Sequence, residues 1–198
     1  MCSSDLVLAS QPAYVAERDW RRVDAAAGAG VSYDVLVHTS DAVRFVLGQE
    51  PTEVAALGRS GSGMAAGVND FIMATFRFDG GVIAQLHADF NSPHGRSRLE
   101  IHGSQGSLIG TDVLGKNSMY RGRVLLRREE HEEEVALESD ESRYLRGIDL
   151  FNAAVRGHGR PACTGGDGIR SLAMILAAEQ AAANGRTVEV SDAGREFV

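Results

Sequence analysis

Two stretches on either side of Asp79-Gly80 constrain this chain more than anything else in it. From Gly81 to Phe90, Val82, Ala84, Leu86, Ala88 and Phe90 fall on one side and Ile83, Gln85, His87 and Asp89 on the other. A period of two marks a strand with one face on a core and the other toward water, substrate or a partner subunit. Asn69–Phe78 is its neighbour, and Asp-Gly between two such runs is a strong hairpin signal. Further strands are expected at Thr52–Leu57, at Arg98–His102 with Leu99 and Ile101 inward, and at Ser107–Ile109, Arg123–Arg128, Glu134–Leu137 and Thr187–Val190. Helical spacing predicts a helix from Asp34 to Leu47, one through Tyr144, Ile148, Phe151 and Val155 stopping at Gly157, and one after Asp167 ending at Asn184-Gly185. Neighbouring strands flanked by helices, without strict βαβ alternation, predict an α+β domain: a mostly antiparallel, open-faced sheet with helices packed on one face.

A net charge of −7 argues against binding to nucleic acid or to an anionic membrane surface. The acid run Glu129–Glu134 reads as a solvated hairpin. Two cysteines, Cys2 and Cys163, are too few and too far apart for a disulfide framework or a zinc site, which fits a reduced, cytoplasmic setting. No apolar run is long enough to span a bilayer, and no signal peptide is evident. The glycines of Gly58–Gly67 lead into a strand pattern. A dinucleotide fingerprint needs them between a strand and a helix, so this stretch reads as a flexible connection.

The chemistry concentrates at Gly28-Ala-Gly-Val-Ser-Tyr-Asp34-Val-Leu-Val-His38-Thr-Ser-Asp41. In a regular helix Asp34 and His38 stack on one face, with Asp41 a turn later. Ser32 is placed to cap the helix start, Gly48 to end it, and Val35, Val43, Phe45, Val46 and Leu47 to be buried. The dipole at a helix N-terminus disfavours a charged imidazole, leaving a neutral one free to accept a proton. By themselves the two residues could serve as structural groups, as an acid/base pair, or as two ligands lacking a third for a metal. Asn91 and His94, in the loop after the alternating strand, are candidate substrate contacts. Asp41 reads as a structural residue, and Trp20 as a packing one, with stacking against a sugar ring the alternative.

The run Gly28-x-Gly30-x-x-x-Asp34-x-x-x-His38-x-x-Asp41 resembles the opening of the second domain of the glucose–fructose oxidoreductase / inositol dehydrogenase / rhizopine catabolism (Gfo/Idh/MocA) family. The resemblance continues through Phe78-Asp-Gly-Gly-Val-Ile-Ala, Leu99-Glu-Ile-His-Gly-Ser-Gln-Gly-Ser-Leu108, Phe151-Asn-Ala-Ala-Val-Arg-Gly and Pro161-Ala-Cys-Thr-Gly-Gly-Asp-Gly, over roughly residues 20–190. It implies a dihydrodipicolinate reductase-like fold for residues 27–198, acting as a substrate-binding and oligomerisation domain. It also implies oxidation or reduction of a sugar, inositol or related polyol with NAD or NADP, His38 as general base with Asp34 beside it, and a homo-oligomer formed through the open sheet face. The alternative is a non-catalytic sugar-binding or oligomerisation module.

Residues 1–26 are poorly patterned and read as an N-terminal segment, of which Met1-Cys-Ser-Ser-Asp-Leu6 has the look of a translated sequencing adapter. The resemblance begins partway into a two-domain family. No glycine-rich phosphate loop precedes it, and Glu-Lys-Pro, the motif expected to complete the acid/base machinery, occurs nowhere. The expectation is therefore a substrate half without cofactor-binding residues of its own, inactive alone, its sheet missing the domain's first strand and left with an unpaired edge.

Overall fold

The computed structural model describes residues 4–13, 19–61, 63–114, 122–136 and 143–191. Cys2 and the first half of the adapter-like stretch lie outside these residues, as does Leu137. Strands β1 (Ser4–Pro12), β2 (Pro51–Arg59), β3 (Phe71–Phe78), β4 (Ile83–Asp89), β5 (Arg98–Gly103), β6 (Gly106–Thr111), β7 (Arg123–Arg128), β8 (His131–Glu134) and β9 (Val188–Glu189) form one sheet in the order β8-β7-β6-β5-β1-β4-β3-β2-β9. Among the described residues every pairing is antiparallel except β1 with β4. A one-turn helix α1 (Trp20–Val23) and a longer α2 (Val37–Leu47) precede β2, while α3 (Arg143–Val155) and α4 (Gly165–Asn184) precede β9.

The expected hairpin is there. Asp79–Gly81 forms its turn, with Gly80 at φ 84°, a left-handed conformation that glycine adopts without penalty. The predicted inward residues of β4 are the core: Ala84, Leu86, Ala88 and Phe90 are fully buried, facing Ile72, Ala74, Phe76 and Phe78 of β3 along the same surface. Val35, Leu36 and Val43 from the α2 side, and Met174, Ile175 and Ala178 from α4, cover that surface. The opposite face, with Leu57, Met73 and Gln85, is open. The acid run forms the β7–β8 hairpin, laced by Arg123–Glu134 and Arg127–Glu132 ion pairs (both 2.7 Å).

Several expectations are corrected. Within residues 1–26, Ser4–Pro12 is not a segment apart: it is the central strand of the sheet, between β4 and β5, with Val7 and Ala9 buried. The alternation was faint because Ala9, Ser10 and Gln11 carry little hydrophobic contrast. Ser32 does not cap α2. The chain enters through a wide π-helical turn, Ser32–Leu36, whose buried Ser32 hydroxyl has no hydrogen-bond partner among the described residues. Phe45 and Val46 lie in solvent, as does the predicted apolar stripe of α3. Asp167 is the third residue of α4 and not its cap: Thr164 caps, and the two side chains close a reciprocal capping box.

Asp41 is structural, as read: it accepts from the Ser171 hydroxyl (3.0 Å), joining α2 to α4. The stronger tie is made by a residue that sequence reasoning does not single out. Arg44, 6% exposed, donates twice to Glu50 (both 2.7 Å) and also reaches Ser171 Oγ (3.2 Å) and the Asp167 carbonyl (3.3 Å). A buried guanidinium needs this many acceptors to offset its lost hydration.

His87, on the open face, stacks near Phe71 with ring centroids 5.6 Å apart. Burial pushes its imidazole below the ordinary value near 6.5, against the pull of Asp89. The unfolded chain therefore takes up this proton first, and stability is lost as pH falls through the unfolded value. His87→Gln should flatten the stability curve between roughly pH 5 and 7, read by urea denaturation at each pH. Parallel curves would show that His87 contributes nothing to it.

Candidate functional site

The site is assembled from three loops at one end of the sheet. Gly30 lies at φ 115°, with the backbone of Asn69 3.4 Å from where a side chain would start. Only glycine suits that close, left-handed approach. It lets Val31 donate to the Asn69 carbonyl (2.9 Å) and Gly30 to that of Arg21 (2.8 Å), fixing the start of the wide turn against α1.

Across that turn the four-residue stacking of Asp34 over His38 no longer applies, because a π-helical turn inserts an extra residue. Asp34 turns toward α1: its Oδ1 accepts from Arg21 Nε at 3.1 Å. Among the described residues its hydrogen-bond partner is Arg21, not His38. His38 is exposed on the first turn of α2. Arg21 also donates to Asp19 (3.1 Å), and the two carboxylates, Asp34 foremost, hold its guanidinium above the usual arginine range.

The next residue serves the other half of the site. Arg22, 5% exposed, donates to Asn91 Oδ1 (3.1 Å) and sits over the Phe90 ring at 5.9 Å. Asn91 in turn donates to the buried Asp70 (2.8 Å), while its backbone N–H donates to Asp89 (2.6 Å). Its amide is thus engaged at both ends by the protein, while the residue as a whole is exposed. His94 stands exposed in the same loop. The structure joins Asp34 and Asn91 through consecutive arginines of α1, and it leaves His38 and His94 facing solvent. Sequence reasoning assigns no role to the Arg21-Arg22 pair. Its signal was two adjacent cations in a segment otherwise poor in pattern.

Among the described residues no group of three His, Cys, Asp or Glu side chains could hold a metal ion, and no helix is long and apolar enough to cross a membrane. Nor do these residues build a dinucleotide cradle. The glycines of 58–67 run from β2 into β3, offering no helix N-terminus to a pyrophosphate.

Residues 7–109 match the model of the GFO/IDH/MocA C-terminal domain, and the chain belongs to that family. It is 40% identical over 171 residues to the 1,5-anhydro-D-fructose reductase of Ensifer adhaerens, a match covering 86% of this chain and 50% of that protein. The fold matches aldose-aldose oxidoreductase from Caulobacter crescentus, solved with glycerol (TM-score 0.82, 21% identity, 94% of this chain and 55% of that one). It also matches levoglucosan dehydrogenase solved with NADH (TM-score 0.74, 19% identity, 95% and 59%). The chain spans about half the length of the curated relatives it matches.

Proposed function

We propose that this chain is the substrate-binding half of a nicotinamide-dependent oxidoreductase acting on a CH–OH group of a sugar, inositol or related polyol. The observation that carries the reading is the exposed His38 on the first turn of α2, one turn beyond an Asp34 held by Arg21, in a chain 40% identical to a sugar reductase. Oxidising an alcohol carbon requires removal of its hydroxyl proton as hydride departs. An imidazole open to solvent is suited to accept that proton, and Asp34 to accept a hydrogen bond from a neighbouring hydroxyl. On this reading the chain supplies the proton acceptor and the substrate contacts, and NAD or NADP is held mainly by a part of the protein that the chain, at half its relatives' length, does not span. The open sheet face, with Leu57 74% exposed, is a surface suited to homo-oligomer formation.

The test is an assay of the full-length protein with NAD and NADP against 1,5-anhydro-D-fructose, levoglucosan and myo-inositol. NAD(P)-linked turnover of at least one is expected, and none by the 198-residue chain alone. Sugar binding without turnover in the full-length protein would favour a binding module, and turnover by the chain alone would overturn the division of labour.

A further inference from the structure

α4 is apolar on two opposite sides. Met174, Ile175, Ala178 and Ala181 face the core and are fully buried. On the other side Ile169, Leu172 and Leu176, spaced three and four residues apart, are 37%, 43% and 52% exposed. A helix apolar on both sides belongs between two layers, and among the described residues only one is present. α3 repeats the pattern. Leu145, Ile148, Phe151 and Val155 recur at helical spacing along one stripe, and each is more than half exposed. Among the described residues α3 makes at most marginal contact with any other helix or strand. A helix of 13 residues is marginal by itself in water, and in proteins such a helix owes most of its stability to what its apolar face packs on.

We propose that the α3 stripe and the outer side of α4 seat a helix from the part of a relatives'-length protein that lies before its C-terminal domain. The inference rests on the division of labour proposed above and adds the surface that joins the two parts. The chain spans about half the length of its relatives, and the family model it matches is that of a C-terminal domain. A part of comparable size is therefore the occupant within reach. Side chains repeating at three and four residues form ridges that interlock with those of another helix, whereas a strand presents a two-residue period. The seat is also tied to the site. Ser171, flanked in sequence by α4's outer residues, donates to Asp41 (3.0 Å) and accepts from Arg44 (3.2 Å) of α2, whose first turn carries His38. A partner resting on α4 is thereby held in fixed relation to the candidate base.

The test is hydrogen exchange of residues 143–155, read by mass spectrometry in the full-length protein and in the 198-residue chain. Exchange at least about tenfold slower in the full-length protein is expected, because the helix is covered there. Ile148→Gln combined with Phe151→Gln removes the apolar contact and keeps good helix formers. In the full-length protein this double variant should restore the fast exchange and lower the thermal midpoint. In the 198-residue chain it should leave the urea midpoint unchanged, since both side chains stand in solvent. Equal exchange in the two proteins overturns the proposal. Protection in the 198-residue chain that grows with its concentration assigns the seam to a second copy. Protection there that is independent of concentration means that α3 closes onto α4. Either result overturns it as well. NAD(P)-linked turnover by the full-length protein is scored separately: turnover without protection of α3 removes this seat and keeps the proposed function, and protection without turnover does the reverse.

Discussion

Replacing His38 with alanine in the full-length protein is expected to lower kcat by about 10²–10⁴-fold, the usual contribution of a positioned general base. KM should change much less, because His38 is exposed and removing it disturbs neither the α2–core contacts nor the Arg21–Asp34 pair. The loss would then belong to the transition state and not to uniform substrate binding. The same variant should keep the wild-type denaturation midpoint, which separates chemistry from folding. Steady-state kinetics of wild type and His38→Ala decide the matter: a kcat within about threefold of wild type would place the base elsewhere, with His94 the next candidate to replace.

The largest effect on stability is expected at Phe76. Its side chain is fully buried in the middle of β3, between Val54 of β2 and Ala84 of β4 in register, with α4 packed over that surface. Two of its neighbours along β3 and β4, Ala74 and Ala84, are already small and cannot swell to fill a void. Phe76→Ala should therefore destabilise the chain by about 3–5 kcal/mol, combining lost transfer free energy with an unfilled cavity. Urea denaturation of the 198-residue chain checks it. A loss below about 1 kcal/mol would mean that the core recloses around the gap, contrary to its close packing.

The elements that could be read from the sequence are those whose own side chains decide their surroundings. β3 and β4 alternate strongly because each is sandwiched between open face and helices, and the Asp-Gly turn between them needs no tertiary help. β1 was not legible because Leu6, Val7, Leu8 and Ala9 are all apolar and Ser10 and Gln11 both polar, so a burial that alternates along the strand, with Val7, Ala9 and Gln11 inward, leaves no period of two in hydropathy. At the site, the family motif pointed to Asp34 and His38, but not to their geometry. The wide turn at Ser32–Leu36 is imposed by contacts of Gly30 and Val31 with Arg21 and Asn69, residues distant in sequence, and no local propensity encodes it. For the same reason no local signal told of the hydrogen bonds that join the Asn91 amide to Arg22 and Asp70.

The central place of β1 dictates an order of assembly. The ribosome releases Ser4–Pro12 before either of its partners, β4 and β5, exists, so the strand waits unpaired until they are made. The sheet has two wings, β2–β4 with β9 and β5–β8, and in the strand order they meet only across it. Each wing is built largely of hairpins that can close early, whereas their union depends on threading an early segment between late ones, a contact of long sequence separation and correspondingly slow formation. A synthetic peptide of residues 4–12 should therefore be able to re-join the wings of a chain that lacks them, and in the intact chain the joining of the two wings is the step most exposed to mispairing.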